Sequence, residues 1–210
     1  MSVYSPLKIG YVHIPKTAGT SMAKWINLNT SGSVRLLKHE SASMLMEEYP
    51  KINYFFTIVR NPWSRLVSLY RDVTNKNFEK AITEVNFKLY EYPKGVNDMK
   101  QLKEYLNKLT FEDFMDHHID TKTNRWYNIT TNQIKWLDCP MDLIVKMENI
   151  DKEFEKIQKL FRNNAPLLHL NSHIHHDKRD YTLFYNEHNK KRVAEIYGED
   201  IEAFKYKFED

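Results

Sequence analysis

An α/β fold, a parallel sheet with helices packed on its faces, is predicted by three features of this 210-residue sequence. Strand-like and helix-like segments alternate through the first 75 residues, the order that builds parallel sheets. The run Y-F-F-T-I-V at 54–59 is apolar nearly throughout, as expected of a strand covered on both sides. An earlier apolar run, L-K-I-G-Y-V-H-I, feeds a P-K-T-A-G-T-S turn and then a helix-like segment. A helix N-terminus after such a turn is a ready site for an anion.

The elements follow in order. Residues 7–14 read as a buried strand and 21–28 as a helix, with Thr20 or Ser21 near its N-cap. A short strand at 34–37 precedes a helix at 41–48, and the strand at 54–59 follows. Pro62 stands where a helix begins, and W-S-R-L-V-S-L-Y-R continues at helical spacing. Residues 72–135 are charged, rich in Asn, Lys and Tyr, and poor in strand signals. Helices are predicted there at 98–108 and 111–118, the second capped by Thr110. The region reads as a helical and loop insertion over the mouth of the sheet, within one domain spanning 1–210. L-I-V-K-M at 143–147 returns as a buried strand. A helix at 149–161 places Ile150, Phe154, Ile157 and Phe161 on one face. A polar loop at 163–181 and two final helical segments ending at Phe208 complete the chain.

Composition narrows the function classes. A hydrophobic fraction of 41% and an aromatic fraction of 13% describe a folded globule. The net charge of +3 suits an anionic ligand and is too weak to point to nucleic acid. The lone Cys139 excludes an intramolecular disulfide and fits a reducing compartment. The N-terminus has no signal-peptide pattern, and no apolar run approaches the roughly 20 residues that span a bilayer. A cytoplasmic protein without a membrane partner is the expectation.

The loop at 15–21 differs from a Walker loop, which places its lysine after the last glycine. Here Lys16 comes three residues before Gly19. Backbone N–H groups from Lys16 to Ser21, through Thr17, Ala18 and Thr20, are placed to converge on an anion. Thr17, Thr20 and Ser21 add hydroxyl donors, Lys16 a mobile cation, and Gly19 room for close approach. In F-F-T-I-V-R-N-P-W-S-R-L-V-S-L-Y-R-D, Arg60 leaves the end of a strand and Ser68 lies in the following helix. Ligands of open α/β sheets bind outside the carboxyl ends of the strands, so Arg60 and the first loop face one crevice. An arginine fork with a serine hydroxyl is a receptor for a second phosphate, whereas Arg65 reads as a surface or structural residue. Two phosphate sites describe a nucleoside phosphorylated at both ends.

These paired motifs resemble the sulfotransferases that use 3′-phosphoadenosine 5′-phosphosulfate (PAPS). The resemblance is nearest to the carbohydrate branch that includes heparan sulfate 2-O-sulfotransferase and many bacterial homologues. The segments N-Q-I-K-W-L, D-L-I-V-K-M-E-N-I-D-K-E-F-E-K-I, L-N-S-H-I-H-H-D-K-R-D-Y and I-Y-G-E-D-I-E-A-F-K-Y-K-F are also similar to bacterial members. The resemblance implies a three-layer sandwich akin to P-loop nucleotide kinases. It implies that Lys16, Thr17, Ala18, Gly19, Thr20 and Ser21 hold the 5′-phosphosulfate and that Arg60 and Ser68 bind the 3′-phosphate. Ser172 and Arg179 fall in a segment that lies near the nucleotide in the family. His39 maps onto the family's catalytic histidine, with Glu40 as the fallback base because other branches use glutamate. Lys16 would neutralise charge on the leaving phosphate. The implied reaction is sulfo transfer to a hydroxyl of a sugar or glycan, releasing adenosine 3′,5′-bisphosphate and requiring no metal. Two other readings stay open: a nucleotide kinase, disfavoured by the absent G-K-[ST] ending, and a nucleotide-binding module without turnover.

Overall fold

The computed structural model describes residues 3–4, 7–30, 33–34, 40–74, 95–119, 130–167 and 180–210. Its helices are α1 (Gly19–Asn29), α2 (Ala42–Glu48), α3 (Pro62–Thr74) and α4 (Met99–Lys108). They continue as α5 (Phe111–His118), α6 (Ile150–Phe161), α7 (Glu187–Ile196) and α8 (Gly198–Phe204). The strands are β1 (Val3–Tyr4), β2 (Ile9–Val12), β3 (Ser33–Val34), β4 (Tyr54–Val59) and β5 (Leu143–Lys146).

Three strands make the parallel core. β2 pairs with β4, Ile9 opposite Tyr54, and β4 pairs with β5, Phe56 opposite Leu143. The order is β3-β1-β2-β4-β5, with β1 antiparallel to both β2 and β3. Two residues are too few for an alternation to show, and the sequence gives no sign of β1. Thr57, fully buried inside β4, donates its hydroxyl to the Val12 carbonyl at 2.8 Å, so the sheet core holds no orphan hydroxyl there. β5 departs from the expected buried strand. Only its Val145 is buried, while Ile144 is 40% exposed, because β5 lies at the edge with one neighbour.

Alternation along the strands sorts the core into two faces. Ile9, Tyr11, Phe56, Ile58 and Val145 join Met22, Trp25 and Ile26 of α1 with Ile150, Phe154, Ile157 and Phe161 of α6. Val12 and Phe55, on the opposite face, join Ala42 and Leu45 of α2. Helices thus cover the parallel sheet on both sides, which makes three layers. The face expected for residues 149–161 is the face α6 buries. α3 leaves the end of β4 and packs Trp63, Leu66, Val67 and Leu69 against Phe111, Phe114 and Met115 of α5 and Val193 of α7.

Helix ends follow local chemistry with two shifts. Ser41 and Thr110 cap α2 and α5, accepting from the Met44 and Asp113 N–H groups. α1 begins at Gly19 rather than Ser21: left-handed Ala18 takes the cap position, and Thr20 and Ser21 enter the first turn. α8 ends at Phe204, short of the expected Phe208, because Lys205 turns left-handed.

Trp25 is fully buried, meets Phe154 and Phe161 edge-on, and donates its indole N–H to the Ala165 carbonyl at 2.8 Å. Trp25→Ala should cost about 3–5 kcal/mol, read as a lower urea midpoint at unchanged m value.

Candidate functional site

The loop after β2 is built on two strained residues. Lys16 has φ 70° and Ala18 φ 65°, left-handed values that disfavour side-chain-bearing residues by about 1–2 kcal/mol each. Left-handed residues alternating with ordinary ones turn successive N–H groups into a concave, anion-binding nest. This nest opens at the N-terminus of α1, whose first turn holds no acidic residue to neutralise the dipole. The buried Thr17 donates its hydroxyl to the Ile14 carbonyl at 2.8 Å, so that hydroxyl shapes the loop. Thr20 is exposed and Ser21 is buried. Gly19 is required for a reason the sequence does not show. A Cβ there would lie 1.5 Å from His13 Nε2, because the buried imidazole, stacked on Tyr11 at 5.9 Å, fills that space.

The second motif resolves into three jobs. Asn61 caps α3, its Oδ1 accepting from the Trp63 N–H at 3.0 Å and the Ser64 N–H at 3.4 Å. Pro62 takes the first helical position, where no N–H is needed. Arg60 reaches back to the loop. Its Nη1 donates to the Lys16 carbonyl at 3.3 Å and its Nε to Ser64 Oγ at 3.0 Å. Ser68, the partner expected from the sequence, lies one turn beyond Ser64 on the same face and is half-buried.

A polar network fixes this arginine. Gln133, fully buried, accepts from the Arg60 N–H at 2.9 Å and donates to the Arg60 carbonyl at 2.8 Å. Asp200 accepts in turn from the Gln133 N–H at 2.7 Å and the Ile134 N–H at 2.9 Å. Glu148 accepts from the Asn61 N–H at 2.8 Å and the Tyr206 hydroxyl at 3.1 Å. Arg65 is structural and buried rather than on the surface. Its Nε donates to the Pro15 carbonyl at 3.0 Å and its Nη1 to the Thr131 carbonyl at 2.9 Å.

Electrostatics mark the crevice as built for negative charge. Burial lowers the Arg60 guanidinium below its ordinary value; Glu148 opposes this, and the Arg71 and Arg65 charges add to it. Burial lowers Lys16 likewise, with Asp72 opposing and Arg60 adding. An anion bound among these cations would relieve their mutual repulsion. Burial raises the Asp200 carboxyl, against the N–H donors of Gln133 and Ile134 and the charge of Arg65.

The structure brings together Lys16, Thr17, Ala18, Gly19, Thr20 and Ser21 with Arg60, and places Ser68 on the helix face that Ser64 begins. Glu40 is buried directly before α2, whose Ala42 shares a cluster with Val12 at the end of β2. His39, Ser172 and Arg179 lie outside the described residues, as does the His173–His176 stretch. Sequence reasoning missed Ser64, Gln133, Glu148, Asp200 and Asp72. Ser64 was within reach, four residues after Arg60 at helical spacing. Gln133 and Asp200 lie in segments singled out in the sequence, but their pairing with each other has no local signature, being 67 residues apart.

The Sulfotransferase family profile matches residues 3–207, nearly the whole chain. No curated protein and no solved structure matches it.

The contact between Gly19 and His13 can be tested directly. Gly19→Ala should lower the thermal midpoint by the equivalent of about 1–3 kcal/mol or more. Adding His13→Ala in the same chain should recover stability relative to Gly19→Ala alone, as measured by calorimetry.

Proposed function

This chain belongs to the sulfotransferase family, and we propose that it moves a sulfo group from PAPS to a hydroxyl of a sugar or glycan, with His39 as general base. The observation that carries this reading is the Arg60 Nη1 contact with the Lys16 carbonyl, which joins a phosphate-binding arginine to the rim of an anion-binding loop. The donor set suits such a nucleotide: backbone N–H groups at a helix start, hydroxyls of Thr20 and Ser21, and two cations. PAPS supplies the activated sulfo group and leaves as adenosine 3′,5′-bisphosphate.

The residues divide the work. The N–H groups from Lys16 to Ser21 hold the 5′ end, while Arg60 and Ser68 hold the 3′-phosphate. Ser64 and Gln133 keep the Arg60 fork in place. His39 takes the proton of the acceptor hydroxyl as the acceptor oxygen bonds to sulfur, a contribution on the order of 10²–10⁴-fold. Lys16 puts its ammonium on the phosphate oxygen from which sulfur separates, where charge develops. Ser172 and Arg179 add nucleotide contacts in this reading, and Glu40 is the base if His39 is not. No metal has a role here. Lysines at 76, 80, 88, 94, 100 and 103 support an acidic glycan as acceptor. The single cysteine supports a reducing, cytoplasmic setting.

Thermal-shift measurements test the nucleotide. Adenosine 3′,5′-bisphosphate should stabilise the protein, by about 2.7 kcal/mol at a hundredfold excess over Kd, and ATP with Mg²⁺ should not. The reverse pattern would sink the sulfotransferase reading in favour of phosphoryl transfer. Lys16→Ala should reduce transfer from PAPS by about 10²–10³-fold. His39→Ala should lose most turnover while binding the bisphosphate nearly as well as the wild type. Full activity of His39→Ala would move the base role to Glu40.

A further inference from the structure

The face of α3 towards the donor loop carries three polar residues at helical spacing, Ser64, Ser68 and Asp72. Ser64 holds Arg60, and at the far end Asp72 Oδ2 lies 3.1 Å from Lys16 Nζ. We propose that Asp72 is the positioning residue for Lys16, its carboxylate holding the ammonium charged and in place at the rim of the loop. The inference rests on the reading that Lys16 serves the sulfo donor.

The pair is asymmetric. The Lys16 side chain is 20% exposed and that of Asp72 is 53% exposed. Exposed ion pairs add about 0–1 kcal/mol, so this one matters little for stability. It matters for protonation, because burial and the nearby Arg60 discourage the charge on Lys16. Arg60 reaches its carbonyl, and Arg65 and Tyr197 line with it a cavity of about 10 Å³, too small for any ligand beyond a water. Among the described residues Asp72 is the carboxylate that pairs with it. Burial and Arg60 push Lys16 below the ordinary lysine range, and Asp72 pushes it back up. A neutral Lys16 would lose both its pull on the donor and its leaving-group role. The carboxylate does not touch the reacting atoms; it acts through the lysine. This gives the spacing from Ser68 to Asp72 a purpose, since one helix face serves both ends of the nucleotide.

The sign of the effect follows. Removing the Asp72 charge lowers the Lys16 pKa, so the lysine loses its proton, and the protein its grip on the nucleotide, at lower pH. The test is calorimetric titration with adenosine 3′,5′-bisphosphate from neutral to alkaline pH, needing no turnover. Wild-type affinity should fall on an alkaline limb, and Asp72→Asn should move that limb down by about one pH unit. Asp72→Glu should restore the wild-type limb. In a Lys16→Arg background, where the charge is permanent, Asp72→Asn should move nothing. A limb that stays in place in Asp72→Asn, or moves equally with Lys16→Arg, would overturn the proposal. Tighter binding at every pH without a shifted limb would also overturn it, leaving Asp72 as a repelling charge only. Failure of the wild type to bind the bisphosphate at all would instead remove the donor reading, and this inference with it.

Discussion

Two arginines reaching backwards onto one loop hold this site together. Arg60 and Arg65 leave the start of α3 and donate to the carbonyls of Lys16 and Pro15. Without them the loop, with its two left-handed residues, would keep only the Thr17 hydroxyl's bond to the Ile14 carbonyl among these side-chain supports, and such a conformation persists only where surrounding contacts over-determine it. Burying a guanidinium is costly unless it is hydrogen-bonded, and both arginines donate to carbonyl oxygens, Arg60 also to the Ser64 hydroxyl. Their positive charge, offset in part by Glu148 at Arg60 and by Asp200 at Arg65, lies close to the loop, where an anion can use it.

The clasp depends on distant parts of the chain. Asp200, at the start of α8, takes the N–H groups of Gln133 and Ile134, and Gln133 takes both backbone groups of Arg60. Lys207 and Glu148 fix Asn61, the adjoining cap. The first turn of α8 thus reaches, through Gln133, an arginine at the end of β4. Every link joins a buried polar group to a partner, and leaving any of them unmatched costs about 1–3 kcal/mol. The network is a structural demand as much as a functional one. Damage to α8 should reach Arg60 and the loop after β2 through Gln133.

Charge around the loop is arranged in two ranks. Lys16 and Arg60 face the crevice, and Asp72 and Glu148 stand beside them as counter-charges. Asp72 and Glu148 oppose the effect of burial on Lys16 and Arg60 and leave the backbone N–H groups of the α1 start unneutralised. A sulfo-transfer enzyme needs that balance. In the reaction proposed above, the cations must be charged to receive a departing phosphate, yet not so tightly paired that they cannot meet it.

Much of this was legible locally. The apolar runs of β2 and β4, the one-sided pattern of α6, the Thr110 cap and the proline that starts α3 are all short-range signals. Periodicity and capping act within one or two turns and so are written in adjacent residues. The sequence also showed that Lys16 and Arg60 belong to one crevice, because the carboxyl ends of parallel strands lie together. Tertiary structure alone decided the rest. It gave Gly19 to the His13 ring, Arg60 to the Lys16 carbonyl, and the left-handed turns to Lys16 and Ala18. It inserted β1 between β2 and β3, and put β5 at an exposed edge. Some of these depend on residues that meet far apart in the chain, as Arg60 meets Lys16 across 44 positions, and others on what fills a space beside a backbone atom, as His13 does at Gly19. Neither leaves a period in the sequence, because packing constrains the pair and not the spacing between its members.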